Sequence, residues 1–296
     1  MQFDMNRTWS QAVALVRANF QLLAVIAGVF LLLPTLALYL LNPDLMQFMA
    51  LSADPTKAEA AMNAMLPRLL GYGLIVIALQ LVGQMAMVAM MGSSRPTVGE
   101  SLKLGAKALP SVIGAAIVFI VGFLAAGLAL GLVLGLLIAL FAAIFGTAVG
   151  TSLAAMGLIV GLLYIAIFVL ELYVMVRFMM TLPIIVLDQQ YNPIKALRRS
   201  WRMTGPRAWA ILGFIVLLGV AYFVILMVLM IAIGALGFVS GGELAAGQAS
   251  TGSVVALSLV ISVGGALVAM LASGILVSMH QQLAGGAEPH DVEFDA

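Results

Sequence analysis

NPIKALRRSWRMTGPRAW, from Asn192 to Trp209, places five of the chain's thirteen lysines and arginines in one short stretch between two long apolar runs. On a helix of 3.6 residues per turn, Lys195, Arg198, Arg199 and Arg202 share one face, while Ile194, Leu197 and Trp201 share the other. A helix divided in this way lies flat in a membrane interface. Trp201 and Trp209 are of the residue type that anchors at head-group level, and Gly205 with Pro206 ends the helix and redirects the chain into the next apolar run.

Composition sets the class. With 64% hydrophobic and 8% charged residues and a mean hydropathy of +1.19, the chain lies far from soluble usage, in which about a quarter of residues are charged. The formal charge of +1 is too small for nucleic-acid binding, and the basic residues sit beside apolar spans, so a membrane surface is their expected partner. The absence of cysteine excludes disulfides, thiol chemistry and thiolate-bound zinc. The opening MQFDMNRTWSQAVALVRANF carries an early acid and no small-residue cleavage site, so no cleaved signal peptide is expected.

A helix needs about 20 apolar residues to cross roughly 30 Å of hydrocarbon. Six segments qualify, near residues 20–41, 68–91, 111–141, 152–180, 208–233 and 254–279. The expected fold is therefore all-α and polytopic, a single six-helix domain over residues 1–283 followed by a short acidic cytoplasmic tail, residues 284–296. Between Ala108 and Leu187 the only charges are Glu171 and Arg177, a run too long for one span; the cluster Gly146, Thr147, Gly150, Thr151, Ser152 supplies its turn. Eleven of the thirteen basic residues flank one side of these spans, and only Lys57 and Arg68 the other. The positive-inside rule then puts both termini in the cytoplasm.

Three flanks resemble one another: TWSQAVALVRANF from Thr8, TVGESLKLGAKAL from Thr97 and NPIKALRRSWRMT from Asn192. Each starts with a good N-cap residue and continues amphipathically, with Trp9, Val13, Val16 and Phe20 as the apolar face of the first and Val98, Leu102 and Leu109 of the second. Spaced by roughly ninety residues, they suggest three repeats of interfacial amphipathic helix plus helical hairpin. The alternative is that any loop beside a membrane becomes basic and amphipathic by the same physics.

Glu171 is the sharpest candidate for chemistry, because an ionised carboxylate deep in a span costs at least about 2.5 kcal/mol. It marks either an intramembrane ion or proton site, with Gln80 and Gln84 as its polar company, or a hydrogen bond made for assembly. Arg177, six residues on, lies about 120° away around the helix, so a direct pair is strained, and snorkelling toward head groups is enough to explain it. Gln80 and Gln84, one turn apart, read equally as glue between helices. Gly127, Gly131 and Gly135 read as a close-packing series, and Met85, Met87, Met90 and Met91 as adaptable filler facing lipid or bundle. The two histidines, His280 and His290, lie at or beyond the last span; no catalytic constellation, cofactor or metal site is expected.

The block VRFMMTLPIIVLDQQYNPIKALRRSWRMTGPRAW carries a resemblance. Arg177, Pro183, Asp188, Ala196, Leu197, Arg199, Ser200, Trp201, Thr204 and Gly205 follow a pattern similar to bacterial membrane proteins of the glycerophosphoryl diester phosphodiesterase membrane-domain family and the related YciC-like proteins. The clear match covers about a tenth of the chain, with weaker agreement from Trp9 to Phe20. It implies a six-helix membrane domain, largely without assigned activity and in some relatives fused to a phosphodiesterase barrel. The spans and flanks occupy the 296 residues, so the membrane domain alone is expected and the enzymatic name is not carried over.

The expected function is a non-enzymatic integral inner-membrane protein of envelope or lipid homeostasis, or of membrane-complex assembly. Arg177, Lys195, Arg198, Arg199, Trp201, Arg202, Arg207 and Trp209 would meet anionic phospholipid, a membrane-protein partner or a second copy. Two alternatives remain: a small-solute or proton-coupled transporter or channel using Glu171, and, more remotely, a phospholipid hydrolase with Asp188 as base.

Overall fold

The computed structural model describes residues 3–42, 62–63, 65–67, 69–94, 96–145, 152–235 and 251–285. Lys57, Arg68, Arg95, the expected turn at residues 146–151 and the tail with His290 lie outside these. The described elements are helical, in the order α1 (Met5–Ala18), α2 (Phe20–Ala27), α3 (Leu33–Leu41), α4 (Leu74–Met90), α5 (Val98–Phe145), α6 (Ser152–Phe178), α7 (Thr181–Leu187), α8 (Pro193–Thr204), α9 (Ala208–Ala235) and α10 (Thr251–Ala284). One π turn, Gly28–Leu32, joins α2 to α3, and another, Leu69–Gly73, precedes α4. Six stretches are long and apolar enough to cross a membrane: Phe20–Leu41, Met65–Met90, Val98–Leu136, Gly161–Leu187, Pro193–Leu229 and Val255–Ala284. The chain is a multi-pass, all-α membrane protein.

The outer surface agrees with that class. Leu124, Leu128, Leu132 and Leu136 recur every four residues on α5 and are 59–71% exposed. A soluble protein rarely tolerates so long an apolar stripe, whereas lipid does. The core gathers instead around α4, α7 and α10, where Met85, Met87, Ile184, Ile185, Val277 and Met279 are fully buried. All four methionines of the α4 end, Met85, Met87, Met90 and Met91, lie inside the bundle and none faces lipid. Their flexible thioether chains fill the irregular space around the short inserted helix α7.

The helix starts follow local chemistry. Asn192 caps α8 by accepting from the Ile194 and Lys195 amides, both at 3.1 Å. Thr97 and Glu100 form a reciprocal capping box at the head of α5, with Glu100 accepting from the Thr97 amide at 2.8 Å. For α1 the cap is Asp4, which accepts from the Arg7 amide at 2.9 Å, rather than Thr8. Thr8 is already inside the helix and buried against α10, where the Ser278 hydroxyl donates to its carbonyl at 3.1 Å.

One expectation of the repeat is corrected. The segment from Thr97 is not a separate helix: α5 runs unbroken for 48 residues, about 72 Å, so its first turns project beyond a hydrocarbon core of about 30 Å. The fully buried residues of the flanking helices are mostly small ones spaced about a turn apart, namely Thr8 and Ala12 on α1, Ser101, Gly105 and Ala108 on α5, and Ala196, Ser200 and Thr204 on α8. Of the apolar faces, Val16, Val98, Leu102 and Leu109 pack partly buried against the core and Leu197 is buried, while Trp9, Phe20, Ile194 and Trp201 are 39–58% exposed, as a face turned to a membrane interface allows. Small residues let helix backbones approach, and large apolar ones are content in lipid.

Helices approach one another closely at three glycines. A Cβ on Gly105 would stand 2.8 Å from the Val82 carbonyl oxygen, which fixes α5 against α4. One on Gly83 would meet Phe30 Cβ at 2.5 Å, at the π turn in the first span, and one on Gly274 the Ala12 carbonyl at 3.0 Å, at the α1 contact. Gly127, Gly131 and Gly135 do not behave this way: nothing lies within 4 Å of the Cβ position of any of them. Their four-residue spacing does not mark a packed helix pair, because α5 packs on α4, α7 and α8 through its other end.

Candidate functional site

The basic end of the bundle is assembled where α6 stops. The chain leaves α6 at Phe178, turns through Met179 and Met180 and re-enters the core as α7, whose Pro183 has no amide hydrogen to donate. The last carbonyls of a helix lack intrahelical donors. Here that of Arg177 is satisfied from α8: the Ser200 hydroxyl donates to it at 2.8 Å. The Thr204 hydroxyl lies 3.2 Å from the same oxygen and 2.8 Å from the Ser200 carbonyl, sharing its one proton between them. Ser200 and Thr204 are fully buried, so this contact holds the inner face of the basic helix onto the break in α6.

The Arg177 side chain lies in the same place. It is only 7% exposed, its carbon Cζ sits 4.1 Å from the centre of the Trp201 ring, and Tyr173 lies 5.9 Å away on another side. The indole extends over Phe178 at 5.2 Å, and Tyr173 meets Trp209 at 5.2 Å, so the cover is aromatic and continuous. Gly205 completes it, since a Cβ there would stand 2.6 Å from Arg177 Nη1. Within this cover Nε and Nη1 are buried without a hydrogen-bond partner, and no acid among the described residues pairs with the guanidinium. A cation over a desolvated indole gains about 2 kcal/mol, less than the several kcal/mol that an unpaired buried charge costs. Snorkelling is thus not the geometry of Arg177: α8 covers it.

Arg199 Nη2 pairs with Asp188 Oδ2 at 3.0 Å, and Lys195, Arg198 and Arg202 are exposed residues of α8, as is Trp201. Trp209 is 67% exposed at the start of α9, and Arg207 lies in the 3-10 turn Gly205–Arg207 that links the two helices. Gly205 and Pro206 therefore join α8 to α9 through one tight turn rather than an open loop. On the inner side, Lys107 lies 4.7 Å over the Tyr191 ring and the Ser111 hydroxyl donates to the Tyr191 carbonyl at 2.6 Å, which docks the α7–α8 turn on α5.

His280 was not legible as part of this end. Its Nε2 lies 3.1 Å from Asp188 Oδ2, the oxygen that also takes Arg199, so one carboxylate ties α10, the α7–α8 turn and the basic helix together. The turn beside it is strained: Gln189 takes φ 52°, a left-handed conformation that costs a non-glycine residue roughly 1–2 kcal/mol. Gln189→Gly should raise stability by up to about 1 kcal/mol, since glycine's larger unfolded-state entropy offsets part of the relief. Thermal unfolding in detergent checks this, and a lowered midpoint would mean that the glutamine side chain itself holds the turn.

Glu171, Gln80 and Gln84 are not brought together. Gln80 donates to the Thr35 hydroxyl at 2.8 Å and Gln84 to the Ser273 hydroxyl at 3.1 Å, linking α4 to α3 and to α10. Both amides are turned to these neighbours because their own helix packs between them. Glu171 instead lines a cleft of about 790 Å³ between α5 and α6, with no ion pair among the described residues.

No curated protein and no solved structure matches the chain. A family model does, and it covers the break in α6, the basic helix and the last span. Residues 151–290 match the membrane domain of glycerophosphoryl diester phosphodiesterase, the family to which the block from Arg177 to Trp209 points.

Proposed function

We propose that this is a bacterial inner-membrane protein that holds anionic phospholipid at a cytoplasmic basic face, in lipid or envelope homeostasis or in the assembly of a membrane complex, and that it catalyses no reaction itself. The observation that carries this reading is the exposed pair Arg198 and Arg202 on α8, with Trp201 beside them and Trp209 one turn beyond the helix end. A phosphate diester is a counter-charge of suitable geometry for a planar guanidinium. Around it, exposed Lys195, Arg198 and Arg202 add long-range attraction on the order of 1 kcal/mol each near an anionic leaflet. By the positive-inside rule the same charges favour a cytoplasmic basic end, with both termini on that side. A membrane-protein partner or a second copy would meet the same exposed face.

Arg198→Gln/Arg202→Gln tests the reading. A ligand that binds only the folded state raises its melting temperature. Phosphatidylglycerol added to the detergent-solubilised chain is expected to raise the midpoint more than phosphatidylcholine does, and the variant is expected to lose that difference. A variant that keeps the full difference would remove these two arginines from the site.

The transporter alternative rests on Glu171. The cleft it lines gives that carboxyl an open neighbourhood, but Gln80 and Gln84 are committed to other helices and supply it no polar path.

A further inference from the structure

The cleft between α5 and α6 runs along α5 from Val118 to Gly135, about 26 Å of helix, most of the hydrocarbon thickness. On the α5 side four glycines, Gly122, Gly127, Gly131 and Gly135, stand among apolar side chains such as Phe123 and Leu130, and among the described residues nothing lies within 4 Å of their Cβ positions. Leu163, Ile167, Leu170 and Val174 of α6 line the opposite wall, with Tyr164 and Glu171 as the polar exceptions. At one end Phe119 and Phe178 meet edge to face at 5.3 Å, and Leu197 of the basic helix closes the space. The cleft thus ends one residue from Arg177, directly beneath the exposed cations of α8.

We propose that this cleft holds one acyl chain of a phospholipid whose head group lies on the basic helix, an inference that rests on the reading of that helix as an anionic-lipid surface. At about 790 Å³ the cleft lies within the range of roughly 300–1000 Å³ typical of small-ligand pockets. Hydrocarbon along most of the wall calls for an occupant without polar groups along most of its length. Cations at one end only, beyond Phe178 and Leu197, call for an anionic group at that end, and a phospholipid has both features.

Gly127→Leu/Gly131→Leu fills the cleft from the glycine wall, where the backbone leaves room for the new side chains. Gly122→Leu provides a second filling variant, and Gly219→Leu, at an equally open glycine on α9 outside the cleft, is the control. The full chain is equilibrated with equal phosphatidylglycerol and phosphatidylcholine in detergent, freed of excess lipid and weighed by native mass spectrometry, after a monodisperse helical preparation has been verified. The wild type and Gly219→Leu are expected to keep one phospholipid, and the filled variants at least tenfold less. Equal retention by the filled variants would overturn the proposal, as would a wild-type dimer that only the filled variants lose, which would assign the cleft to a second copy. If filling removes phospholipid of both kinds and the wild type shows no preference for phosphatidylglycerol, the cleft stands and the anionic surface falls. If a preference for phosphatidylglycerol survives filling, the surface stands and the cleft proposal falls.

Discussion

Gly105→Val is expected to leave little folded protein under conditions where the wild type is stable. The Cβ alone would come within 2.8 Å of the Val82 carbonyl oxygen and 3.3 Å of the Ala86 nitrogen, both backbone atoms of the neighbouring helix. Neither can rotate away, so α4 and α5 must separate. Overpacking of a close-packed interior typically costs about 1–3 kcal/mol, and the upper part of that range applies when backbone is the obstacle. The helix pair also carries Met85, Met87 and Val88 into the core around α7, so the loss spreads to contacts beyond Gly105 itself. Thermal unfolding in detergent measures it. Gly127→Leu, on the same helix and larger by the same count of atoms or more, should leave the midpoint nearly unchanged because its Cβ meets nothing within 4 Å. Equal effects at the two sites would mean that the α4–α5 contact is not a fixed part of the fold.

Charge reversal at Arg198 and Arg202 is expected to have the largest effect on lipid. Each exposed cation near an anionic leaflet contributes about 1 kcal/mol, so removing two and adding two opposite charges changes the interaction by up to about 4 kcal/mol, close to a thousandfold in equilibrium preference. Arg199 is left in place because its pair with Asp188 supports the turn and His280. The difference should shrink as salt rises above physiological strength, where the Debye length falls below about 8 Å. An effect of the reversal that ignores salt would indicate a structural change instead.

The spans were readable because a run of about 20 apolar residues admits few alternatives. Five of the six expected segments lie largely within the helices found, and the first, Phe20–Leu41, coincides. The cap at Asn192 was readable for a similarly local reason: its side chain reaches amides two and three residues away. The inward contacts of the flanking helices were not: the amphipathic pattern marks the large apolar residues and the cations, whereas Ala196, Ser200 and Thr204, which lie between them on α8, make the buried contacts. The glycine series on α5 misled by the opposite route, since spacing alone does not distinguish a helix contact from an open wall.

The site was legible in its parts and illegible as an arrangement. Ser200, Thr204 and Gly205 stood in the recognised block, but only the break in α6 shows that they serve the carbonyl and guanidinium of Arg177. Asp188 and His280 are 92 residues apart, and no periodicity or spacing relates them.

The central claim is that the basic end prefers an anionic phospholipid. Its most direct measurement is the ratio of phosphatidylglycerol to phosphatidylcholine retained by the purified full chain from an equal mixture, for the wild type and for Arg198→Glu/Arg202→Glu. An excess of phosphatidylglycerol on the wild type, lost in the reversed variant and reduced by added salt, is the predicted result; equal retention of the two lipids by the wild type would contradict it.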